Sequence, residues 1–205
     1  MSLVTEKQAN TAVAIDRSIS DNKGYQLALR YREKRYSYND LAALMNRAGN
    51  MLKRLGVGLG DQIVVAVSAS PSLVASVLGA MKIGATSIVV PVGTSGQAIP
   101  LLGNAKLLIV EAPRLAEFGD VKVKHLVVGD ASEGQPSFLQ EMRTSSSSLG
   151  RLSDIQDSAA LGVTGPGGVI WFTHDQIANS DAKLGQNDIG RILVHLTRGE
   201  DVTLT

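Results

Sequence analysis

The sequence predicts an α/β fold in which a mostly parallel sheet is flanked by helices. Two short apolar runs, 62–68 and 86–90, are rich in Val, Ile and Ala, as is typical of strands buried on both faces. A segment of helix length lies between them and begins at Ser70 and Pro71, a cap residue followed by proline at the first helical position. Because strands that alternate with helices require crossover (βαβ) connections, neighbouring strands are expected to run parallel.

The first elements are predicted to be a hairpin and an amphipathic helix. Apolar and polar residues alternate over 26–32 and 35–38, on either side of a short bend. Ser37 is a suitable N-cap, and Asp40 stands three residues later, where it can complete a capping box. Apolar residues then recur at helical spacing until Gly56 ends the helix.

The alternation continues toward the carboxyl end with less contrast. The next predicted elements are a helix near 97–102, a strand over 106–110, a short helix over 114–118 and a strand over 125–128. Farther on, an apolar stretch at 169–172 precedes a helix capped by either Thr173 or Asp175. The last strand lies within either 192–195 or 201–204.

The chain divides into four segments. Residues 1–24 form a polar N-terminal segment, 25–143 an α/β subdomain, and 144–156 a serine-rich stretch interpreted as a mobile linker. Residues 157–205 carry a glycine-rich loop and belong to the same or an adjoining subdomain. This last segment is interpreted as truncated, so an exposed sheet edge is expected to bind either the remainder of the domain or a second copy.

Composition argues against several functional classes. A net charge of +1 over 205 residues does not favour binding to nucleic acid or to an anionic membrane surface. The absence of cysteine excludes disulfides and thiolate metal sites, and the three histidines lie far apart, so no metal site is predicted. There is no leader-like N-terminus, and no apolar run approaches the ~20 residues of a membrane span, so a cytoplasmic protein is expected.

A glycine-rich segment is the most informative part of the chain. It holds four glycines within seven residues, namely Gly162, Gly165, Gly167 and Gly168. Without a Cβ, such residues allow backbone N–H groups to approach an anion closely. Thr164 is the only hydroxyl inside the segment, and no lysine or arginine occurs between Asp154 and Lys183. A charge-assisted contact to a phosphate stabilises binding by about 1.5–3 kcal/mol, and this segment has no cation to make one. Two readings stay open: the segment is a phosphate cradle, or it is a flexible strand-to-strand turn inherited from an ancestor that had such a cradle.

Three residues after the glycines have further candidate roles. Thr173 and His174 flank the loop, and His174 is either a general base or a residue that caps the helix or packs beneath the loop. Trp171 lies in an apolar run and is predicted to be part of the core. The pattern assigns no catalytic residue.

Three segments in a fixed order point to a known family. They are the helix and Gly-Val-Gly-Leu-Gly-Asp turn over 36–61, the helix that ends in Lys-Ile-Gly-Ala at 82–85, and the glycine loop with its Thr-His at 160–174. Together they resemble the adenylate-forming (AMP-binding) superfamily, of the acyl-CoA synthetase or acid–CoA ligase type. The resemblance covers most of residues 25–205 and implies the fold of the first part of that family's N-terminal domain.

The glycine loop departs from the family signature, T-S-G-T-T-G-x-P-K-G, at its chemical groups. The signature's middle threonine is Val163 here, and its lysine falls on Gly168. The resemblance therefore implies a degenerate phosphate loop. Its implied nucleotide-phosphate-binding residues are Gly162, Thr164, Gly165, Gly167 and Gly168, with Thr173 and His174 flanking the loop.

The resemblance also implies a reaction. A complete enzyme of this family uses ATP and Mg²⁺ to join a carboxylate to AMP, releases pyrophosphate and passes the acyl group to coenzyme A. This sequence by itself requires none of these cofactors, and the lost loop hydroxyls and lysine predict that the chain alone is inactive. The alternative from a different class is a non-catalytic α/β module that binds a partner or a small ligand.

Overall fold

The computed structural model describes residues 10–120, 122–150, 159–180 and 182–204. The strands in these ranges are β1 (Leu27–Tyr31), β2 (Lys34–Ser37), β3 (Gln62–Ala66), β4 (Thr86–Val89), β5 (Ala105–Glu111), β6 (His125–Val128), β7 (Ala159–Gly165), β8 (Gly168–Thr173) and β9 (Val202–Leu204). The α-helices are α1 (Thr11–Ser18), α2 (Tyr38–Arg54), α3 (Pro71–Lys82), α4 (Ser95–Ala98), α5 (Phe138–Arg143), α6 (His174–Ala178) and α7 (Asp188–Thr197). The described ranges also contain a π-helical turn, Ile19–Lys23, and 3₁₀ turns at Ile99–Gly103, Ala112–Phe118 and Leu184–Gln186.

The predicted α/β class is confirmed by the larger sheet. Its strand order within the described residues is β6-β5-β3-β4-β7-β8. The first five of these strands run parallel, and only β8, which forms a hairpin with β7, runs antiparallel to its neighbour. Helices pack on both faces, because successive crossovers from β3 leave the sheet on opposite sides.

Local sequence signals explain where the first helices begin and end. Ser37 caps α2, and the Ser37 amide donates to the Asp40 carboxylate at 2.9 Å, as the capping-box pattern predicts. Gly56 follows α2 with a φ of 90°, a conformation that side chains with a Cβ rarely adopt. Ser70 caps α3 ahead of Pro71, so both predicted helices are confirmed.

A smaller sheet joins the two ends of the described chain. Its order is β2-β1-β9, with β1 antiparallel to β2 and parallel to β9. The predicted hairpin is therefore confirmed, and of the two candidate last strands it is the one within 201–204 that forms. Residues 192–195 lie instead in α7, whose buried Ile192, Leu193 and Leu196 follow helical spacing.

One hydrophobic cluster spans the described chain, from Ala12 to Leu204. The cluster includes α1, a helix that was not predicted from the sequence. Ala12 and Ile15 are its only fully buried apolar side chains, so its apolar periodicity is weak. The cluster contains residues from both the 25–143 and the 157–205 segments. Those two predicted segments thus share a core.

The serine-rich stretch lies along α2 where it is described. Asn46, Arg47 and Asn50 of that helix donate to backbone carbonyls of residues 145–148 over 2.6–2.9 Å. The rest of the predicted linker, residues 151–156, lies outside the described residues.

Candidate nucleotide site at the carboxyl edge of the sheet

The carboxyl ends of five parallel strands meet along one edge of the larger sheet. Ser68 follows β3, Thr94 follows β4, Glu111 ends β5, Gly129 follows β6, and Gly165 ends β7. In open sheets of this type, ligands bind in the crevice outside these ends, where neighbouring connections leave on opposite faces. A ligand site is therefore expected along this edge.

The glycine turn, defined here as residues 165–168, is a tight connection between β7 and β8. Gly165 pairs with Gly168, so only Pro166 and Gly167 lie between the strands, and both are exposed. Gly168 has a φ of 108°, which favours glycine. A Cβ built on Gly165 or Gly167 meets no atom within 4 Å, so these two glycines are not required by packing.

Gly162 lies inside the sheet, apart from the turn. It pairs with Ile88 of β4 on one side and with Trp171 of β8 on the other. A Cβ on Gly162 would stand 2.9 Å from both Trp171 Cζ3 and Val169 Cγ1. Gly162 therefore makes room for the indole ring, and its backbone runs between two paired strands.

The prediction that Trp171 is part of the core is wrong. Its side chain is 40% exposed because β8 is an edge strand and no helix covers the ring there among the described residues. The apolar run around it produced the error, since an edge strand next to a buried strand has a similar composition.

Thr164 is buried and its hydroxyl is engaged. Thr94 Oγ1 lies 2.9 Å from Pro91 O and 2.6 Å from Thr164 Oγ1, so the two threonine hydroxyls are hydrogen-bonded to each other. The same Thr164 oxygen lies 3.5 Å from Val89 O. Thr164 thus ties the end of β7 to the segment after β4.

A buried arginine lies beside that segment, and sequence reasoning missed it. Arg114 is 5% exposed, and it donates to Val90 O at 2.8 Å and to Pro91 O at 3.2 Å. It also forms an ion pair with Glu117 at 3.1 Å. Hydrogen bonds from Ser95 and Arg114 hold the pKa of Glu117 below its ordinary value. Arg114 is about 50 residues before the glycines in sequence, and only the fold brings it to this edge.

The described residues around the glycine turn do not fit a triphosphate. Residues 159–180 carry no lysine or arginine, and the charge of Arg114 is offset by Glu117. Pro166 has no N–H, and β7 lies between two strands that use its amides in ladders. Nor does any group of three or more His, Asp or Glu side chains in the described ranges offer a metal site.

The residues that flank the loop lie at the other end of β8. Thr173 caps α6 through Gln176, whose amide donates to Thr173 Oγ1 at 3.2 Å, so Thr173 and not Asp175 is the cap. His174 is buried, and its Nδ1 accepts from the Thr11 amide at 3.1 Å. Because an amide can only donate, that nitrogen is unprotonated in this arrangement. His174 therefore packs against the start of α1, separated from the glycine turn by the length of a strand.

A second feature of the same edge is a cleft of about 980 Å³. It lies between the β1–β2 hairpin, the first turn of α3, the ends of β5 and β6, and α5. Its floor is largely apolar, with Leu44, Phe138 and Met142, and Glu111 stands at its wall. The Glu111 carboxylate accepts from the Ser68 amide at 3.0 Å and from the Ser68 hydroxyl at 2.9 Å. No sequence signal placed these segments together.

Comparison with known proteins connects this architecture to one family. The family model described as AMP-binding enzyme matches residues 16–149, so its match ends before β7 and the glycine turn. The chain is 39% identical to a 3-hydroxybenzoate–CoA/4-hydroxybenzoate–CoA ligase of Thauera aromatica over 74 residues. That stretch covers 36% of this chain and 14% of the relative. The chain is also 27% identical to a 3-hydroxypropionyl-coenzyme A synthetase of Metallosphaera sedula over 151 residues. That stretch covers 70% of this chain and 21% of the relative.

Solved structures show the same fold over nearly the whole chain. An anthranilate CoA ligase, AuaEII, in complex with anthranoyl-AMP superposes with a TM-score of 0.82 at 19% identity, covering 97% of this chain and 45% of that one. A benzoate CoA ligase from Burkholderia xenovorans LB400 gives 0.79 at 18% identity, covering 96% and 45%. The chain thus spans less than half the length of these structures. No helix in the described ranges is long and apolar enough for a membrane crossing.

Proposed function

Because this chain belongs to the AMP-binding enzyme family, we propose that it is the N-terminal portion of an acyl-CoA synthetase-like ligase. The family reaction is ATP-dependent adenylation of a carboxylate followed by thioester formation. Two relatives, at 39% and 43% identity, act on hydroxybenzoates by name, and an acetyl-coenzyme A synthetase is 39% identical, so aromatic acids and acetate are the first substrates to test.

The chain by itself, in this proposal, does not turn over ATP. The observation that carries this is the surroundings of the glycine turn. Residues 159–180 contain no lysine or arginine, and the buried hydroxyl of Thr164, just before the turn, already bonds to Thr94. We assign binding of ATP, Mg²⁺ and coenzyme A to a whole ligase of the family rather than to this turn. The end of the family match at residue 149 supports divergence of the loop.

A non-catalytic binding module is the second candidate. The observation that favours it is the cleft of about 980 Å³, which lies at the sheet edge and is formed without the glycine turn. A site of this size and apolar character is typical of small-ligand pockets. Such a module would keep the family fold and lose its chemistry.

ATP–pyrophosphate exchange tests the proposed inactivity directly. The full chain is incubated with ATP, Mg²⁺, labelled pyrophosphate and benzoate, hydroxybenzoates, anthranilate or acetate. A complete benzoate–CoA ligase serves as the positive control. We expect no exchange above the rate without acid. Acid-dependent exchange by this chain would refute the proposal.

A lysine introduced into the turn tests whether the missing charge limits nucleotide binding. Gly168, the signature's lysine position, is unsuited to a side chain at φ 108°, whereas Gly167 is exposed and its Cβ direction is open. We expect Gly167→Lys to raise ATP affinity about tenfold or more in calorimetry, as one charge-assisted contact would. Gly103→Lys, at an equally open position after α4, is the matched control. Equal ATP affinity in the two variants would show that charge is not what the turn lacks.

A further inference from the structure

The cleft of about 980 Å³ has one wall that is built on a short helix. α5 contributes Phe138, Leu139 and Met142 to this wall, and Phe138 and Met142 are buried. α2 and α3, which also line the cleft, have 17 and 12 residues, whereas α5 has only six. A helix of six residues is not stable by itself, so α5 depends on the contacts that hold it in place.

Charged side chains of α2 hold the carboxyl end of α5. Arg54 forms an ion pair with the Glu141 carboxylate at 2.5 Å and donates to Glu141 O at 3.1 Å. Arg47 donates to Arg143 O, in the last residue of α5, at 3.4 Å. The last carbonyls of a helix have no partner within it, and cations beside them are favourable. The two arginines therefore fix the end of a helix that is too short to fix itself.

The strap, defined here as residues 144–150, continues from α5 along the same face of α2. Three side chains of α2 donate to four consecutive strap carbonyls, those of residues 145–148, over 2.6–2.9 Å: Asn46, Arg47 and Asn50. Asn50 alone bonds two of them, Ser146 O and Ser148 O, both at 2.8 Å. All four bonds end on backbone oxygens, so they fix the path of the strap whatever its side chains are.

The strap is held by polar bonds more than by apolar packing. The bonds from Asn46 and Asn50 lie at exposed positions. Leu149, the one large apolar residue of the strap, is only partly buried, where it packs over Gly49. Segments with exposed hydrogen bonds and few buried apolar contacts open at a lower free energy than the core does.

We propose that α5 and the strap form one movable wall of the cleft, and that a clamp on α2 keeps this wall closed. The clamp consists of Asn46, Arg47, Asn50 and Arg54. Because the strap follows α5 directly and the same helix holds both, loss of the clamp frees both. Opening withdraws Phe138 and Met142 from the floor and widens the cleft. The strand order of the larger sheet need not change, since α5 contacts that sheet at its edge strand β6.

Removal of one clamp donor tests how the wall is held. Asn50→Asp keeps the size of the side chain but places acceptor oxygens against two carbonyls. We expect hydrogen exchange of the amides in residues 138–150 to become about tenfold faster or more, as loss of two hydrogen bonds implies, and exchange in β3 to stay unchanged. Asn39→Asp, which makes the same charge change in the first turn of α2, is the matched control and should alter neither. Unchanged exchange in Asn50→Asp, faster exchange in the strap without α5, or faster exchange throughout the chain would each overturn the proposal.

A single thiol tests whether opening reaches the floor of the cleft. The chain has no cysteine, so Met142→Cys places one thiol in the wall, and Met45→Cys, at a fully buried position of α2, is the control. We expect Asn50→Asp to speed the labelling of Met142→Cys by a thiol reagent about tenfold, in step with hydrogen exchange, and to leave the labelling of Met45→Cys unchanged. Equal acceleration at both positions would mean a general loosening of the core. No acceleration at Met142→Cys would mean that α5 stays closed, and either result would contradict a movable wall.

Discussion

Tyr38 joins the start of α2 to the segment after α7. Its ring is fully buried, and its hydroxyl donates to Glu200 O at 2.9 Å, with Leu196 O at 3.3 Å. Burial, and then the charges of Glu200 and Asp201, raise its pKa to about 12. One phenol thus connects residues that are more than 150 positions apart. The predicted capping pattern located the helix start but gave no sign of this long-range bond.

Tyr38→Phe is expected to cost about 1–2 kcal/mol of unfolding free energy at neutral pH, because it removes the hydrogen bond from the buried phenol to the part-buried Glu200 O. The folded pKa lies above the unfolded value, so the stability that this phenol contributes is complete below pH 10 and is lost as pH rises toward 12. The difference between the two proteins should therefore shrink over that range. Urea unfolding at several pH values measures it. Tyr25→Phe, at a side chain that is 94% exposed, should show no such change.

At the scale of elements, α2 and α3 cross at a point where only glycine fits. A Cβ on Gly79 would lie 2.7 Å from Ala48 Cβ and 2.8 Å from the Gly49 amide nitrogen. Backbone cannot move aside as a side-chain end can, so the close approach depends on this residue. Hydrophobic spacing predicted both helices and their buried faces, and the packing between them set the requirement for glycine.

Gly79→Ala should destabilise the chain by about 3 kcal/mol, because the added methyl group forces the two helices apart. Thermal or urea unfolding measures the loss. Gly103→Ala is the control, since a Cβ there meets nothing within 4 Å. Equal stabilities of the two variants would show that the helices reposition without cost.

At the scale of the whole molecule, α1 ties distant parts of the chain together. Lys82, at the end of α3, is 4% exposed, and its ammonium lies 3.0 and 2.9 Å from the two carboxylate oxygens of Asp16. Thr11, at the other end of α1, donates to His174, the first residue of α6. The helix therefore links the predicted α/β subdomain to the glycine-loop segment.

Asp16→Asn should cost about 3–5 kcal/mol, because it leaves the buried Lys82 ammonium without a counter-charge. Asp16→Leu combined with Lys82→Met should recover most of the loss, since the apolar pair removes the desolvated charge. The matched control is Asp188→Asn, which breaks a surface pair with Arg191 whose side chains are over 60% exposed, and should cost less than about 1 kcal/mol. If Asp16→Asn lowers the unfolding free energy no more than Asp188→Asn does, the proposed role of α1 is contradicted.

The sequence by itself determined the α/β class, the parallel strands, the capped helices and the family, because these depend on periodicity, caps and turns within short stretches. For the candidate site, the sequence located the glycines and showed that no lysine or arginine lies near them. Only the tertiary structure decided that Gly162 serves the indole of Trp171, that Thr164 bonds to Thr94, that Arg114 reaches the same edge, and that His174 faces α1. These depend on which strands become neighbours and on which strand is left at the edge. Strand order is fixed by long-range packing, for which no single stretch of sequence carries a local signal.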